Sequence, residues 1–529
     1  MRVLLVTGLM AKEMVERYAR VNGVEATVLA LPVSVAAFLT PDLVAERLRG
    51  RDLSGYDLIL LPGAMKGDVS AVEEATGVPT FKGPLHAADL PLVLSLLGEI
   101  ELSKTRPASE LIRGRLRKRA LKEIESAERE WRRLLEEGGG FTLGKGAGRV
   151  AVGRLLPMRV VAEIVDAPRL TDREIERRAI YYAESGADII DVGMMAGRPR
   201  PGEVRRILEA VRSAVEKPVS IDTLDPSEIR AAVKAEVDLV LSLDRGNMEE
   251  VAPLLQDIPV VVIPTDVRRG ELPRRAEERV RRLEKNIEQA REMGVEKVVA
   301  DPILEPALTP GVFESLRAYH LFAERNPRIP LLFGVGNVTE LMDIDSVGVN
   351  GLLAAMAAEL GVSLLFTPEH SDKARGSVRE LATASRMMFL AKRRRTTPKD
   401  LGIDLLILKD KRFREEGYKR SIEEGVEVLE PEEVEGYQED ERGWFRILLD
   451  REEGKIVLLH FPRGGKRPDL ILKGRKARPL YIAAIKRGLV SRLDHAAYLG
   501  RELGKAEVAL STGKAYVEDE PLFLRFHSA

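Results

Sequence analysis

Cysteine is absent from the chain, which removes disulfides, thiolate zinc sites, iron–sulfur clusters and cysteine nucleophiles from consideration. Any metal must be held by oxygen or by one of six histidines, and that donor set suits Mg2+ better than zinc. An excess of charge of either sign is also missing, since 83 basic and 84 acidic side chains leave a net charge of −1. Such a balance creates no overall field to draw in nucleic acid or an anionic membrane, so neither is expected as a partner. No window approaches the ~20 apolar residues that a membrane span needs. At the N-terminus Met1-Arg2-Val3-Leu4-Leu5-Val6 enters a strand pattern at once, with no cleavable leader, and the expectation is a cytoplasmic protein. Lack of cysteine beside a dense, sign-mixed Lys/Arg/Glu surface also suits a thermophile.

What is present is enough apolar material, 44% of 529 residues, for about three packed domains. Residues 1–100 alternate short apolar runs with helical patterns, which predicts a small doubly wound α/β domain. Its post-strand turns, Thr7-Gly8 and Pro62 to Asp68, have the form of a phosphate cradle, although glycine turns after strands are commoner than phosphate sites. Lys82 to Asp89, including His86, is another such turn. Residues 101–147 read as a long exposed helix, Ser103 to Glu137, followed by a glycine-rich linker. Residues 148–395 carry the clearest pattern, and 396–529 change texture again. In that last region Leu405 to Leu408, Phe445 to Leu449, Ile456 to His460 and Leu470 to Lys473 read as strands of a mixed α/β or α+β domain.

In the middle region apolar runs recur at Val160–Val165, Ile189–Val192, Val219–Ile221, Leu239–Leu243, Val260–Ile263, Val298–Ala300, Leu331–Phe333 and Val362–Phe366. Helical segments such as Asp172–Ser185, Gly202–Val215 and Gly311–Asn326 separate them. Eight β-then-α units in this span have the size and rhythm of a (β/α)8 TIM barrel. Catalysis in that fold sits where the strands end, and polar residues gather there. Glu163 and Asp166 close the first strand, and Asp191 with the Arg198–Arg200 loop closes the second. Asp222 follows the third, Ser242 with Asp244 and Asn247 the fourth, Asp301 the sixth, Asn337 the seventh, and Glu369 with His370 the eighth. A single aspartate after a strand is usually a helix cap, as Asp225 and Asp172 are expected to be. Capping explains less well why nearly every strand ends in an acid, amide or hydroxyl. A ring of carboxylates and amides suits a flat ligand with a donor edge, because buried acceptors must find partners. A pterin has such an edge in its 2-amino group and N3–H, which one carboxylate can accept together.

The segments Gly186 to Gly193, Arg198-Pro199, Pro218 to Thr223 and Ala300-Asp301-Pro302 resemble, in order and spacing, the pterin-binding superfamily of dihydropteroate synthases and folate- or corrinoid-linked methyltransferases. The whole three-domain chain resembles the archaeal dihydropteroate synthase-related proteins, associated with tetrahydromethanopterin-type cofactors. The resemblance implies that Asp222 and Asp301 hold the pterin, with Asp191 at the pocket wall. Ser242 stands where the superfamily has Asn, and Asn247 is the candidate substitute. The Arg198 loop, with Arg200, matches the loop that approaches the amine substrate and pyrophosphate. Glu163 or Asp166 replaces the first-strand Asn that helps hold Mg2+. The synthase motif Gly-Glu-Ser-Thr is here Met194-Met195-Ala196-Gly197, and Ser-Arg-Lys after the seventh strand is Gly334-Val335-Gly336-Asn337, which resembles the methyltransferase Asn instead. The terminal Arg-x-His is Pro368-Glu369-His370. Three functions follow as expectations. The first is a synthase-like transfer joining a pterin methyl pyrophosphate to an arylamine in folate or tetrahydromethanopterin-type biosynthesis. The others are a methyl-tetrahydropterin-dependent methyltransferase with a methyl acceptor, and a non-catalytic pterin scaffold. Asn337, His370 and Arg198 are the catalytic candidates, and barrels of this superfamily imply a homodimer.

Overall fold

The computed structural model describes residues 1–85, 87–399, 401–409, 418, 420–431 and 438–523, so His86 lies outside the described residues. The chain divides into two compact units, Met1–Ser126 with Pro398–Glu424, and Ala127–Thr397 with Gly425–Ala529.

In the first unit β1 (Arg2–Gly8), β2 (Glu25–Leu31), β3 (Leu58–Leu61) and β4 (Thr80–Lys82) form a parallel sheet of order β2-β1-β3-β4. Side chains alternate between its faces. Val3, Leu5, Leu58 and Leu60 pack with Val15 of α1 (Lys12–Tyr18) in one core, while Leu4, Val6, Ile59 and Leu61 pack with Val44 and Leu48 of α2 (Pro41–Leu48) in the other. Cores on both faces make this the doubly wound sheet that the run spacing predicts, with α3 (Ser70–Thr76) and α4 (Leu90–Ser95) completing the layers.

The segment expected as one long exposed helix is two helices, α5 (Ala108–Arg129) and α6 (Trp131–Gly138). Both bury a stripe. Ile112 joins the N-terminal core, and Ala127 and Leu134 pack with Ala151 and Leu156. Small apolar residues at helical spacing among many charges hid that stripe. Leu405 to Leu408, expected as a strand, enters no ladder among the described residues, and Leu406, Ile407 and Leu408 are about half exposed. An apolar run becomes a strand only where a neighbour takes its N–H and C=O groups.

The second unit opens with a hairpin, β5 (Phe141–Leu143) and β6 (Val150–Val152). Eight parallel strands follow: β7 (Arg159–Ile164), β8 (Ile189–Gly193), β9 (Val219–Asp222), β10 (Leu239–Leu243), β11 (Val260–Val262), β12 (Val298–Ala300), β13 (Leu332–Gly334) and β14 (Leu364–Pro368). Strands β7 to β12 are neighbours in sequence order, β14 pairs with both β7 and β13, and a parallel bridge between Ala300 and Leu331 joins β12 to β13. The barrel closes. Around it run α7 (Asp172–Ser185), α8 (Pro201–Ala214), α9 (Pro226–Lys234), α10 (Met248–Val251), α11 (Ala276–Glu292), α12 (Val312–Arg325), α13 (Gly336–Thr339), α14 (Ser346–Leu360) and α15 (Ser377–Arg394). Asp225 caps α9 as expected, accepting from the Ser227 and Glu228 amides, whereas Thr171 rather than Asp172 caps α7, in a capping box with Glu174.

Val161, Ile189, Leu239, Leu241, Val261, Val299, Leu332 and Leu364 share one core with Leu143 and Val152 of the hairpin. The hairpin turn lies against Pro218, just before β9, so the hairpin plugs the end where the strands begin. Apolar layers fill the barrel from that end, and the polar layers lie at the other.

Beyond the barrel, β15 (Trp444–Asp450), β16 (Lys455–Phe461) and β17 (Leu470–Gly474) form an antiparallel sheet. Phe445, Ile447, Ile456 and Leu458 face α16 (Ala477–Lys486) and α17 (Leu493–Thr512). One carboxylate ties this layer together. Asp440, 3% exposed, accepts from the Arg442, Ser491 and Arg492 amides at 2.9, 2.9 and 3.0 Å and from His495 Nδ1 at 3.0 Å. Burial opposes its charge, but the bonds from Ser491, Arg442 and His495 prevail and hold its pKa well below the ordinary aspartate value. A depressed folded-state pKa stabilises above the unfolded value and loses that contribution as pH falls through the folded one. Asp440→Asn is therefore expected to cost about 2–4 kcal/mol near neutral pH, read by denaturant unfolding of the C-terminal layer, with the deficit shrinking only in strong acid.

Candidate functional site

Register places the acids. Glu163 of β7 lies level with Asp191 of β8, and Asp191 is level with Ser220 of β9. These residues share the inward parity of Val161 and Ile189, one layer nearer the strand ends. The layer above contains Gly193 and Asp222, again level with each other. A side chain at Gly193 would fill the space Glu163 uses, since a Cβ there would fall 2.1 Å from Glu163 Oε1. Glycine at 193 thus opens room for the Glu163 carboxylate, which meets those of Asp191 and Asp222 with one oxygen of each inside a 4.8 Å span.

Asp301 follows β12, close enough to Asp222 to raise its pKa. Its Oδ1 accepts from the Ile303 amide at 2.7 Å and from the Tyr319 hydroxyl at 2.6 Å. Ile303 is held at φ 69, a conformation a β-branched residue adopts only under surrounding constraint. That constraint is Arg279 of α11, fully buried, which donates to the carbonyls of Ile303 at 2.8 Å and Pro302 at 3.3 Å and pairs with Glu305 at 2.5 Å. The carboxylates of Asp222 and Glu163 and Oδ2 of Asp301 take part in no hydrogen bond among the described residues. Asp191 Oδ1 accepts from Ser220 Oγ at 2.5 Å, while its buried Oδ2 has no partner.

The electrostatic result is a set of acids whose proton affinity is raised. Burial, then Asp222, Asp166 and Glu340, push Glu163 up to about 8. Burial and Asp301 push Asp222 up to about 7. Burial lifts Asp301 to about 6 against the bonds from Tyr319 and Ile303. Burial, then Asp222 and Glu163, raise Asp191 well above the ordinary aspartate value. Like charges in a dry pocket cannot all ionise, and functional sites concentrate such shifts.

The other anticipated residues fall into two groups. Asp166 sits in a left-handed turn just after β7 and pairs with Arg169 at 2.8 Å. Asn247 is buried and occupied, since its amide nitrogen donates to the Leu224 and Ser242 carbonyls at 3.2 and 3.0 Å and its oxygen accepts from the Asp244 amide at 3.0 Å. It braces the β10 loop and the Ser242 backbone. Asn337, exposed at the end of β13, donates to the Leu304 carbonyl at 2.8 Å and keeps its amide oxygen free of protein bonds. Arg198 and Arg200 lie exposed on the β8 loop, which Glu228 anchors by accepting from the Arg200 amide at 2.6 Å. His370 is exposed and its amide donates to Glu340 at 2.9 Å, while Glu369 turns away to accept from Tyr181 and Val378. Sequence reading missed Tyr319, Arg279, Glu228 and Glu340. A buried arginine inside a helix, at the hydrophobic spacing of α11, was the only available signal for any of them.

The mouth of the closed parallel barrel gathers carboxylates of raised proton affinity from β7, β8, β9 and the loop after β12, and residues 170–365 match the model of the pterin binding enzyme family. Residues 2–85 match a family of unknown function, DUF6513, and residues 439–519 match PterinBD-DUF4346. The uncharacterized protein MJ0107 of Methanocaldococcus jannaschii is 41% identical over 542 aligned positions, covering 99% of each chain. The chain belongs to the family of that protein, and the match to the pterin binding enzyme model falls on its central barrel. Among solved structures, dihydropteroate synthase of Xanthomonas albilineans with 7,8-dihydropteroate is 22% identical over 46% of this chain and 95% of its own, with a TM-score of 0.36. The Thermus thermophilus enzyme with 6HMPPP is 24% identical over 46% and 97%, with a TM-score of 0.35. No helix among the described residues is long and apolar enough to cross a membrane.

Glu163 carries a stability signature of its own. Its folded pKa of about 8 lies above the ordinary 4.5, so the folded chain binds the extra proton between those values, and stability falls as pH rises through that window. In chelator-treated protein Glu163→Gln is expected to stabilise by on the order of 1–2 kcal/mol near pH 8.5 and by little near pH 5. Denaturant unfolding at both pH values checks this, and a destabilised variant at the higher pH would contradict it.

Proposed function

We propose that the barrel mouth binds a pterin and catalyses a dihydropteroate synthase-like transfer, joining a pterin methyl pyrophosphate to an arylamine in folate or tetrahydromethanopterin-type cofactor biosynthesis. One observation carries this reading. Asp222 and Oδ2 of Asp301 are neighbouring, mostly buried acceptors without a protein donor, in a barrel that matches the pterin binding enzyme family. Acceptors withdrawn from much of their water and left without a protein donor are costly, and the 2-amino and N3–H edge of a pterin supplies the missing donors. Raised proton affinity lets each acid act as acceptor or donor, matching either edge of the ring. Asp191 supports the wall through Ser220, and Ser242 is held by Asn247 beside the pocket.

In the transfer, the bond between the exocyclic methylene carbon and the pyrophosphate oxygen breaks, and its electron pair leaves with pyrophosphate. The arylamine nitrogen forms the new C–N bond and releases one proton, which a carboxylate at the mouth can take. Arg198 and Arg200, exposed on the β8 loop with side chains unpaired among the described residues, are the cations to meet pyrophosphate. His370 borders the same side of the mouth, because β14 adjoins β7. A Mg2+ ion held at Glu163 would add positive charge beside the leaving group, and oxygen-only donors suit it.

A second reading, methyl transfer from a methyl-tetrahydropterin to an acceptor, is favoured by Asn337. Its free amide oxygen faces solvent at the end of β13, where the synthase pattern has lysine.

Single-turnover mixing separates the two. Pyrophosphate release with a C–N product supports the first, and methyl loss from methyl-tetrahydropterin supports the second. Binding itself is tested by thermal shift with pterins and their pyrophosphates. Asp222→Asn and Asp301→Asn are each expected to weaken pterin binding by at least about tenfold, roughly 1.4 kcal/mol. Unchanged affinity in both variants would remove the pterin from this site.

A further inference from the structure

A proline decides where one proton sits at the barrel mouth. Strands β12 and β13 meet through the parallel bridge between Ala300 and Leu331, with the Ala300 amide donating to the Pro330 carbonyl at 2.9 Å. A parallel ladder advances two residues at a time. The next donor from the β12 side is therefore residue 302, and the carbonyl facing it is that of Leu332. Residue 302 is proline, which has no N–H to give. Leu332 is buried, and a buried carbonyl without a donor is costly. The Tyr319 hydroxyl of α12 stands in for the absent amide, 2.8 Å from the Leu332 oxygen.

The same hydroxyl lies 2.6 Å from Asp301 Oδ1. A phenol carries one hydrogen. Burial, then the Asp301 charge, holds Tyr319 well above the ordinary tyrosine value, so that hydrogen is kept. It cannot point along both lines at once. The Leu332 carbonyl can only accept, whereas Asp301 can donate when it carries a proton. With Asp301 neutral, its Oδ1 proton points to the phenol oxygen, the phenol hydrogen points to Leu332, and all three groups are satisfied. With Asp301 ionised, the phenol hydrogen swings to Oδ1 and the Leu332 carbonyl loses its donor. The contact runs from Tyr319 to Asp301 only in that second state.

We infer that Tyr319 is a positioning residue whose single hydrogen toggles between Leu332 and Asp301, holding Asp301 as a neutral acid in the free protein and as a carboxylate when a ligand presents an N–H donor edge. The ligand half rests on the reading of this mouth as a pterin site; the place of the proton in the free protein does not. On binding, the O–H bond of Asp301 breaks and its proton goes to water. Oδ2 then offers the ligand's N–H groups a charged acceptor, which makes the stronger hydrogen bond. Three ionisable groups face Asp301 among the described residues: Tyr319 of α12, Arg279 of α11 and Asp222 of β9. Arg279 favours the carboxylate, Asp222 opposes it, and Glu163 and Asp191 adjoin Asp222 on its other strands.

The test reads the proton directly in full-length protein without ligand. Infrared pH-difference spectra follow the carboxylic C=O band that Asp301→Asn removes. Tyr319→Phe takes a donor from the carboxylate and should move the midpoint of that band up by about one pH unit. Pro302→Ala supplies an N–H to Leu332, frees the phenol hydrogen for Asp301 and should move the midpoint down by a similar amount. Tyr319→Phe also leaves Leu332 bare and can disturb folding. Combined with Pro302→Ala it regains that donor, so the double variant should recover stability yet keep the raised midpoint. A tyrosine that merely braces the loop would give neither shift. Midpoints that stay put in both single variants, or move in the same direction, overturn the inference. Pterin binding is then followed by calorimetry in two buffers of different ionisation enthalpy, one pH unit below the midpoint. About one proton released per pterin is expected, and pterin binding without proton release overturns the toggle. Opposite midpoint shifts in a protein that binds no pterin uphold the proton's place and count against the pterin reading alone.

Discussion

Repulsion among carboxylates in a water-poor cavity is the constraint around which the rest of this barrel is arranged. Glu163, Asp191, Asp222 and Asp301 are brought together by backbone that cannot yield, because each strand is locked to its neighbours by a closed ladder. The apolar layers below, from Val161 round to Leu364, fix the depth at which the acids begin. Left to themselves, four such groups would spread apart or refuse burial. Here the close-packed interior supplies the favourable free energy against which that unfavourable assembly is set.

Supporting residues hold each acid at its post. Arg279 gathers the carbonyls of the β12 loop and pairs with Glu305, so the left-handed turn at Ile303 is kept and Asp301 Oδ1 stays anchored. Tyr319 fixes the same oxygen from α12. The hydroxyl of Ser220 orients Asp191, and Asn247 staples the β10 loop. These are hydrogen bonds between rigid elements, which position groups more tightly than loops alone do.

Much of this architecture is legible in the chain itself. The runs Leu239–Leu243 and Val298–Ala300 and the helix Asp172–Ser185 match the structure residue for residue, because buried parallel strands and amphipathic helices leave unmistakable periodicities. The acids were visible for a similar reason, as their position just after apolar runs puts them at one end of the barrel. Their braces were not. Arg279, Tyr319, Glu228 and Glu340 sit on helices and loops far along the chain from the groups they hold, and only the closed fold brings them near. Asn247 shows the opposite limit: an amide at a strand end looks like a ligand contact until its partners are seen to be the loop's own backbone. The missed stripe of α5 and α6, with Ala120, Ile124 and Ala127 buried among charges, and the unpaired run at Leu406–Leu408, have one cause. Burial is decided by the neighbour, and a local pattern does not name its neighbour.

The hairpin of Phe141–Leu143 and Val150–Val152 has a kinetic meaning. It seals the barrel like the base of a cup, at the end where the strands begin. A molecule bound to the acids would be reached from the opposite end, where the strands finish.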